Sequence, residues 1–540
     1  MNATVQASAL RRIEWGMAIL LSAVFVFLLV VRAQHAGALW RDEASSVQLA
    51  TMPSVSDVLH NFQRESFPVL FDLKLRAYAA LFGTSDNALR VFGFLVGLAL
   101  LAVFWVNAAL LKNGPPLLAL TLLGFNSTFL IWGTGIRGYG IGSLLILLAF
   151  GLMARFLVRP TKAAYVAALL ACLVSVQFLL YDSVLVLLFV AAGCAVFKRR
   201  KNMGAYVATM GIGGLWLLAF LPLLGPFNYE SHYTVVFRGP VDFGWFAGQL
   251  ALALGQPVSL TVAIWAIVAV AVVLGAAIRL FRISAEKPSP EWDHLFFALV
   301  VAVAGFASYM IFLKLVSYRT REWYYLALLA ILAGAFDLIA SYLARLRWFR
   351  IARLVFVVLA AIAFTCSAWP KVHERQTNMD IVARSLEQAA QPADLIVVNP
   401  WFLGISFNWY YHGSTAWVTC PMMDDHHLHR FDLVKEKLAA VQPIDDLRVR
   451  ISSTLQSGHR VWFVGDVKIL PPDRIPVVLP PAPQSEYGWS GDAYAESWTQ
   501  QLGELLRRRA TDAQYIRVPG DQPVNELENV PVLVASGWRE

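Results

Sequence analysis

The sequence predicts a mainly α, polytopic transmembrane protein that carries a small C-terminal α/β domain, and three observations predict it. Hydrophobic residues fill 58% of the 540 positions and charged residues only 15%. The apolar residues fall in runs of roughly twenty, the length that spans a bilayer core about 30 Å thick. The runs end at Pro370, after which charged residues and alternating strand-like and helix-like stretches take over.

Taken in order, the expected spans lie at 13–32, 88–111, 115–132, 139–158, 163–180, 182–197, 204–224, 258–280, 294–315, 323–342 and 352–369, about eleven in all. The first contains Trp15 to Val31, follows Arg11 and Arg12, and has no small-residue cleavage site behind it. It therefore reads as a retained span and not as a cleaved signal. With a cytoplasmic N-terminus, alternate loops carry Lys112; Arg155, Arg159 and Lys162; Lys198, Arg199, Arg200 and Lys201; Arg279, Arg282 and Lys287; and Arg345, Arg347, Arg350 and Arg353. Five successive basic loops on one side match the positive-inside rule.

An odd number of spans puts everything after Trp369 on the outer face, with the loops 33–87, 133–138, 225–257 and 316–322. The expected organisation is a transmembrane domain at 1–370 and a soluble extracytoplasmic α/β domain at 371–540, in a plasma (inner) membrane. Before Pro370 there are 28 Lys and Arg against 15 Asp and Glu; from there on the balance is 16 against 21. The basic excess sits in short loops beside apolar spans, where topology calls for it, so nucleic acid is not an expected partner. The four cysteines, Cys172, Cys194, Cys366 and Cys420, show no paired spacing, and three lie in apolar runs. They indicate neither a disulfide framework nor a zinc site.

Chemistry is expected first in the first outer loop, the longest. Directly after the first span comes LWRDEASS, which sets Asp42 and Glu43 side by side near the membrane surface. Acids in such a place cost desolvation energy and need a reason. Further on, Phe71, Leu75, Tyr78 and Phe82 recur at helical spacing beside Asp72 and Arg76, the pattern of an interfacial amphipathic helix lying along the membrane. A Gly-rich turn, with Gly133, Gly135, Gly138 and Gly140, holds Arg137 on the same face, and such glycines let backbone approach a ligand closely.

These stretches occur in a particular order: the acidic pair, then FPVLFDLKLRAYAALFGTSDNALRVFGFLVG, then IWGTGIRGYGIGSLLILLAF with Arg137 and Tyr139 two residues apart, then KLVSYRTREWYYLALLAILAG. The series resembles the large membrane glycosyltransferases of the GT-C fold. It is most similar to the dolichyl-phosphate-mannose protein mannosyltransferases, the lipid A aminoarabinose transferases and the bacterial lipopolysaccharide-core glycosyltransferases. Two departures leave donor and subfamily open: Ser66-Phe67-Pro68 stands where those families often have His-Pro-Pro, and Thr134-Gly135 where they have Gln-Glu.

The resemblance implies inverting transfer of a sugar from a polyprenyl phosphate to an envelope acceptor, whether lipid, glycan or protein, at a site that also meets membrane lipids. Such chemistry needs a carboxylate to take the acceptor proton, and cations to stabilise the leaving phosphate. Asp42 is the candidate base, and Glu43 would position the acceptor or support Asp42. Arg137, with Tyr139 beside it, Arg319 and Arg321 are the candidate phosphate-binding residues, since the planar guanidinium matches phosphate oxygens and stays charged. Topological anchoring by snorkelling is the competing account of each arginine.

In the C-terminal part DLIVVNP and HRVWFVGDV read as strands and 492–509 as a helix, with prolines 471, 472, 476, 480, 481 and 483 marking an irregular excursion. DDHHLHR gathers Asp424, Asp425, His426, His427 and His429, a composition that can bind a metal, although nothing at zinc spacing completes it. These motifs assign no definite cofactor, and a divalent cation is compatible with them. NPWFLGISFNWYYHG is aromatic enough to stack on sugars or to pack a small domain against the membrane. No P-loop or dinucleotide fingerprint is present. Two other functions stay open: a transporter or flippase, which would show mid-span charges in matched halves, and a non-enzymatic assembly subunit.

Overall fold

The computed structural model describes residues 3–65, 67–111, 114–225, 241–283, 289–317, 319–482 and 491–540. Lys112, Lys287, Ser66 and residues 226–240 of the 225–257 loop lie outside the described residues. Among those described, eight helices are long and apolar enough to cross a membrane: Ala9–His35, Asp86–Leu111, Gly138–Val158, Met203–Leu223, Val258–Ile283, Pro290–Val316, Glu322–Leu343 and Arg347–Val372. The chain is a multi-pass membrane protein. Its innermost helices, Gly138–Val158 and Glu322–Leu343, are apolar on all sides and the most enclosed by their neighbours.

Three of the eleven expected spans take other forms. The 163–180 run is a helix of 15 residues, Lys162–Val176, and the 182–197 run is the 18-residue helix Asp182–Arg199, with Asp182 in its first turn and Lys198 and Arg199 in its last. The 115–132 run is not one helix. After Leu117–Ala119 the backbone winds into two π turns, Leu120–Gly124 and Phe129–Gly133, broken between them at Asn126. Asn126 repairs the break by donating to Ala253 O at 3.0 Å and accepting from Phe129 N–H at 2.9 Å, while Thr128 donates to Leu252 O at 3.2 Å. Irregular backbone at membrane depth survives only when it is enclosed by protein, and residues 115–143 are all buried. A hydropathy reading counts apolar side chains and cannot see where the helical ladder stops.

Close backbone approach sets the turn that follows. A Cβ on Gly140 would lie 1.8 Å from Gly133 O, and one on Gly93 1.8 Å from Thr134 O. The glycines around Arg137 therefore let helices Asp86–Leu111 and Gly138–Val158 close on turn 133–137. Their role is helix packing, where the sequence suggested room for a ligand.

The loop after the first span folds over this end of the bundle as the helices Arg41–Ala50, Val55–Asn61 and Val69–Phe82. Helix Val69–Phe82 turns Phe71, Asp72 and Leu75 inward against Arg41–Ala50 and leaves Leu81 and Phe82 exposed. Asp72 and Arg76 do not pair. Arg76 donates to Ala50 O at 3.0 Å and to Met52 O at 2.5 Å, where helix Arg41–Ala50 leaves its last carbonyls unsatisfied.

Beyond Val372 the chain builds a five-stranded sheet from β1 (Leu395–Asn399), β2 (Ala416–Thr419), β3 (Val461–Gly465), β4 (Asp512–Ile516) and β5 (Val532–Ser536), in the order β2-β1-β3-β5-β4. β1 runs parallel to β2 and β3, and β5 antiparallel to β3 and β4. β1 and β3 are buried along their whole length, as central strands covered on both faces must be. Helices Phe431–Ala439, Asp445–Gln456 and Gly491–Arg509 cover one face, and Met379–Ala389 and Leu403–Tyr410 the other. That second face meets the membrane part: Arg32 donates to Gln376 Oε1 at 2.6 Å, Asn408 to Gln48 Oε1 at 2.8 Å, and Leu39 N–H to Tyr410 Oη at 2.6 Å.

Candidate active site

Asp42 and Glu43 stand in the first turn of helix Arg41–Ala50, where carboxylates suit the helix dipole. Successive helical residues point about 100° apart, so the two acids diverge. Glu43 turns inward and is fully buried. It takes a bidentate pair from Arg90 at 2.8 and 2.9 Å and the Ile136 N–H at 2.8 Å. Its acceptors are thus spent on fastening helix Arg41–Ala50 to the second long helix and to the 133–137 turn.

Asp42 faces out and keeps 23% of its side chain exposed. His429 Nε2 lies 3.2 Å from its Oδ1, and Arg41 Nε is 3.7 Å from the same oxygen. Burial pushes this carboxyl up. The hydrogen bond from His429 and the charges of Arg137, His429 and Arg41 outweigh that push and hold it well below the usual carboxylate range. Asp42 is a standing anion.

Arg137 lies under it, almost wholly buried. Through Nη1 it donates to Asp42 O at 3.0 Å, Ser46 Oγ at 2.8 Å and Glu65 Oε1 at 2.5 Å. The opposite edge of the guanidinium is uncommitted: Nε is buried without a hydrogen-bond partner among the described residues. Phe67 lies against its face at 4.6 Å. Burial lowers the basicity of Arg137, but the charges of Glu65 and Asp42 more than restore it, and the guanidinium stays protonated. Beneath, Asp72 is fully buried, and neither of its oxygens has a hydrogen-bond partner among the described residues. Its burial and the Glu65 charge raise its carboxyl well above the usual range, so it is held as the neutral acid. Tyr139 packs on Phe67 at 4.9 Å and on Tyr324 at 5.6 Å.

The remaining candidates are more dispersed. Arg319 is exposed, pairs with Asp492 at 3.1 Å and lies 5.9 Å from the Trp245 ring. Arg321 is exposed and precedes the turn Glu322–Tyr325, whose Trp323 joins Trp40 and Trp132 in one aromatic cluster. The Tyr139–Tyr324 contact brings this turn beside Arg137, with neither arginine in contact with Arg137. The residues of DDHHLHR separate: His426 packs on Trp417 at 4.5 Å, His427 lies 3.2 Å from Asp425, and His429 reaches Asp42. Arg90, Arg137 and His429 stand among the site's carboxylates where a divalent cation would have to sit, so the donor set does not suit one.

No protein-family model and no curated protein sequence matches the chain. Solved structures do. The oligosaccharyltransferase of Archaeoglobus fulgidus, in complex with Zn and sulfate, superposes with a TM-score of 0.51 at 12% identity over 94% of this chain and 72% of that one. Its apo form gives 0.50 at 11% identity over 94% and 74%. ArnT from Cupriavidus metallidurans bound to undecaprenyl phosphate gives 0.49 at 13% identity over 96% and 98%. The fold is GT-C.

Within this GT-C chain the site draws on residues that the sequence did not single out. Arg41 donates to Glu528 Oε2 from its backbone at 3.0 Å and from its guanidinium at 3.2 Å, and it stacks on Phe402 at 4.5 Å. Glu65, Ser46 and Arg90 complete the polar network. Arg41 was signalled only by standing next to the acidic pair, and His429 only by the polarity of its segment. Arg90 and Glu528 carried no local signal. Together, these contacts place an ionised, partly open carboxylate on one side of a protonated guanidinium that has an unused edge.

Proposed function

We propose that the protein is a membrane glycosyltransferase that moves a sugar from a polyprenyl phosphate to an acceptor of the cell envelope. The carrying observation is the juxtaposition of Asp42, ionised and partly open, with Arg137, whose Nη1 is anchored and whose Nε edge is not. The GT-C fold supports the reading by analogy of architecture.

In this reading the acceptor hydroxyl oxygen attacks the anomeric carbon from one face. The bond from that carbon to the phosphate oxygen breaks on the other face, and the configuration inverts. The hydroxyl proton passes to Asp42. Because the Asp42 carboxyl is a weak base, transfer becomes favourable late, once the new bond to carbon has made the hydroxyl acidic. The lipid phosphate leaves with its charge met by Arg137, which has two parallel N–H groups on its Nε side to offer a phosphate. Arg319 and Arg321, exposed just ahead of the Glu322–Tyr325 turn, guide the anionic donor. Tyr139 holds Phe67 against the guanidinium. Glu43 supports Asp42 by fixing the helix that carries it.

The test is Asp42→Asn, which keeps the size and loses the basic oxygen. General-base catalysis is worth about 10² to 10⁴ in rate. Transfer from a polyprenyl-phosphate sugar should fall by that much, while the protein inserts normally and still binds undecaprenyl phosphate. Near wild-type transfer by Asp42→Asn removes Asp42 as the base.

A further inference from the structure

The segment DDHHLHR sits far along the chain from the acidic pair, yet the fold lays it over Asp42 and holds it there from both sides. Leu428 is buried against Leu49 and Val58, at the far end of the helix that carries Asp42 and in the helix after it. Arg430 pairs with Asp425 at 2.8 Å and with Asp432 at 2.7 Å, and Asp432 in turn lies 3.9 Å from Arg64 of the first outer loop. The His429 ring is stacked by Phe431 at 5.5 Å and met edge-on by Trp401 at 6.1 Å. Its Nδ1 is buried with no hydrogen-bond partner among the described residues, so its one polar contact is the one Nε2 makes with Asp42.

A side chain so constrained on one carboxylate oxygen has a definite consequence. Nε2–H on Oδ1 fixes the rotation of the carboxyl group and leaves Oδ2 outside the His429 and Arg41 contacts. We propose that His429 is a positioning residue for the transfer, supplied by the C-terminal sheet region, and that it orients Asp42 for proton abstraction. The inference rests on the reading of Asp42 as base. It assigns the C-terminal region a part in the chemistry.

Two variants separate positioning from packing. His429→Gln can place an amide N–H near the position of Nε2, and His429→Ala cannot. A strain lacking the gene is complemented with full-length wild type, His429→Ala, His429→Gln or Asp42→Asn at matched protein levels. The sugar-modified envelope species is then quantified by mass spectrometry, and each purified protein is titrated with undecaprenyl phosphate.

The expected result is a fall in product of about 10- to 100-fold for His429→Ala, the worth of one hydrogen bond to a charged group. Recovery to within a few-fold of wild type by His429→Gln should accompany it, with unchanged undecaprenyl phosphate binding throughout. Wild-type product from His429→Ala beside a collapsed Asp42→Asn overturns the inference and leaves the base standing. Equal losses in His429→Ala and His429→Gln, or loss of lipid binding in His429→Ala, overturn it as well, since either marks a structural role. Wild-type product from Asp42→Asn overturns the underlying reading itself.

Discussion

At the scale of single residues, the acidic pair shows how adjacent carboxylates acquire different tasks. Asp42 is partly open and meets His429 and Arg41 on one oxygen, whereas Glu43 is enclosed and fully bonded to Arg90 and Ile136. Removing one partner of a buried ion pair leaves the other charge uncompensated and costs about 3–5 kcal/mol. Glu43→Ala should therefore lower unfolding free energy by that amount in detergent, read from a denaturant or thermal melt, while Asp42→Asn leaves the melt near that of wild type. Comparable melting of the two variants would mean that Glu43 is not the fastening point. Asp42 could be found in the sequence because its motif is local. The split between the two acids could not, because it depends on Arg90, inside a span, and on a backbone N–H in a turn between two others.

At the scale of elements, the sequence exposed what is periodic and missed what is irregular. Long apolar helices and the buried strands β1 and β3 follow from runs of apolar residues, and these appear where hydropathy puts them. The π-wound 117–133 stretch and the capping of helix Arg41–Ala50 by Arg76 depend on contacts from other segments, and no local pattern announces them. Segment 424–430 is the same kind of case: its composition suggested a metal, and its neighbours turned it into a clamp over Asp42. Arg430 is the tie, with hydrogen bonds to Asp425 and Asp432. Hydrogen bonds to charged groups are worth about 1.5–3 kcal/mol, so Arg430→Ala should speed amide hydrogen exchange across 424–430 by roughly 10- to 100-fold, with β1 and β3 unaffected. Unchanged exchange there would show that Leu428 alone holds the segment.

At the scale of the whole molecule, charge and chemistry separate to opposite ends of the bundle. The first span begins at the end where Glu14 pairs with Arg353 at 2.6 Å and Arg350 at 3.4 Å, and it finishes at Arg32 beside the sheet. The last long helix runs the same way, from Arg347 at the basic end to Val372 at the sheet. At 1.5 Å per residue, its 26 residues cover roughly 39 Å, a full bilayer core with margin. Asp293 with Arg200, and Glu291 with Arg279, belong to the basic end; Asp42, Arg137 and the sheet belong to the other. Lys and Arg in short loops are retained in the cytoplasm, so the sheet and the site over which it closes should face away from it. A reporter that works only outside the cytoplasm, fused after Glu540, should be active, and one that works only inside should be silent. The reverse pattern would turn the site toward cytoplasmic nucleotide sugars. A lipid-phosphate donor would then have no topological support, while the Asp42–Arg137 geometry would still call for an anionic leaving group.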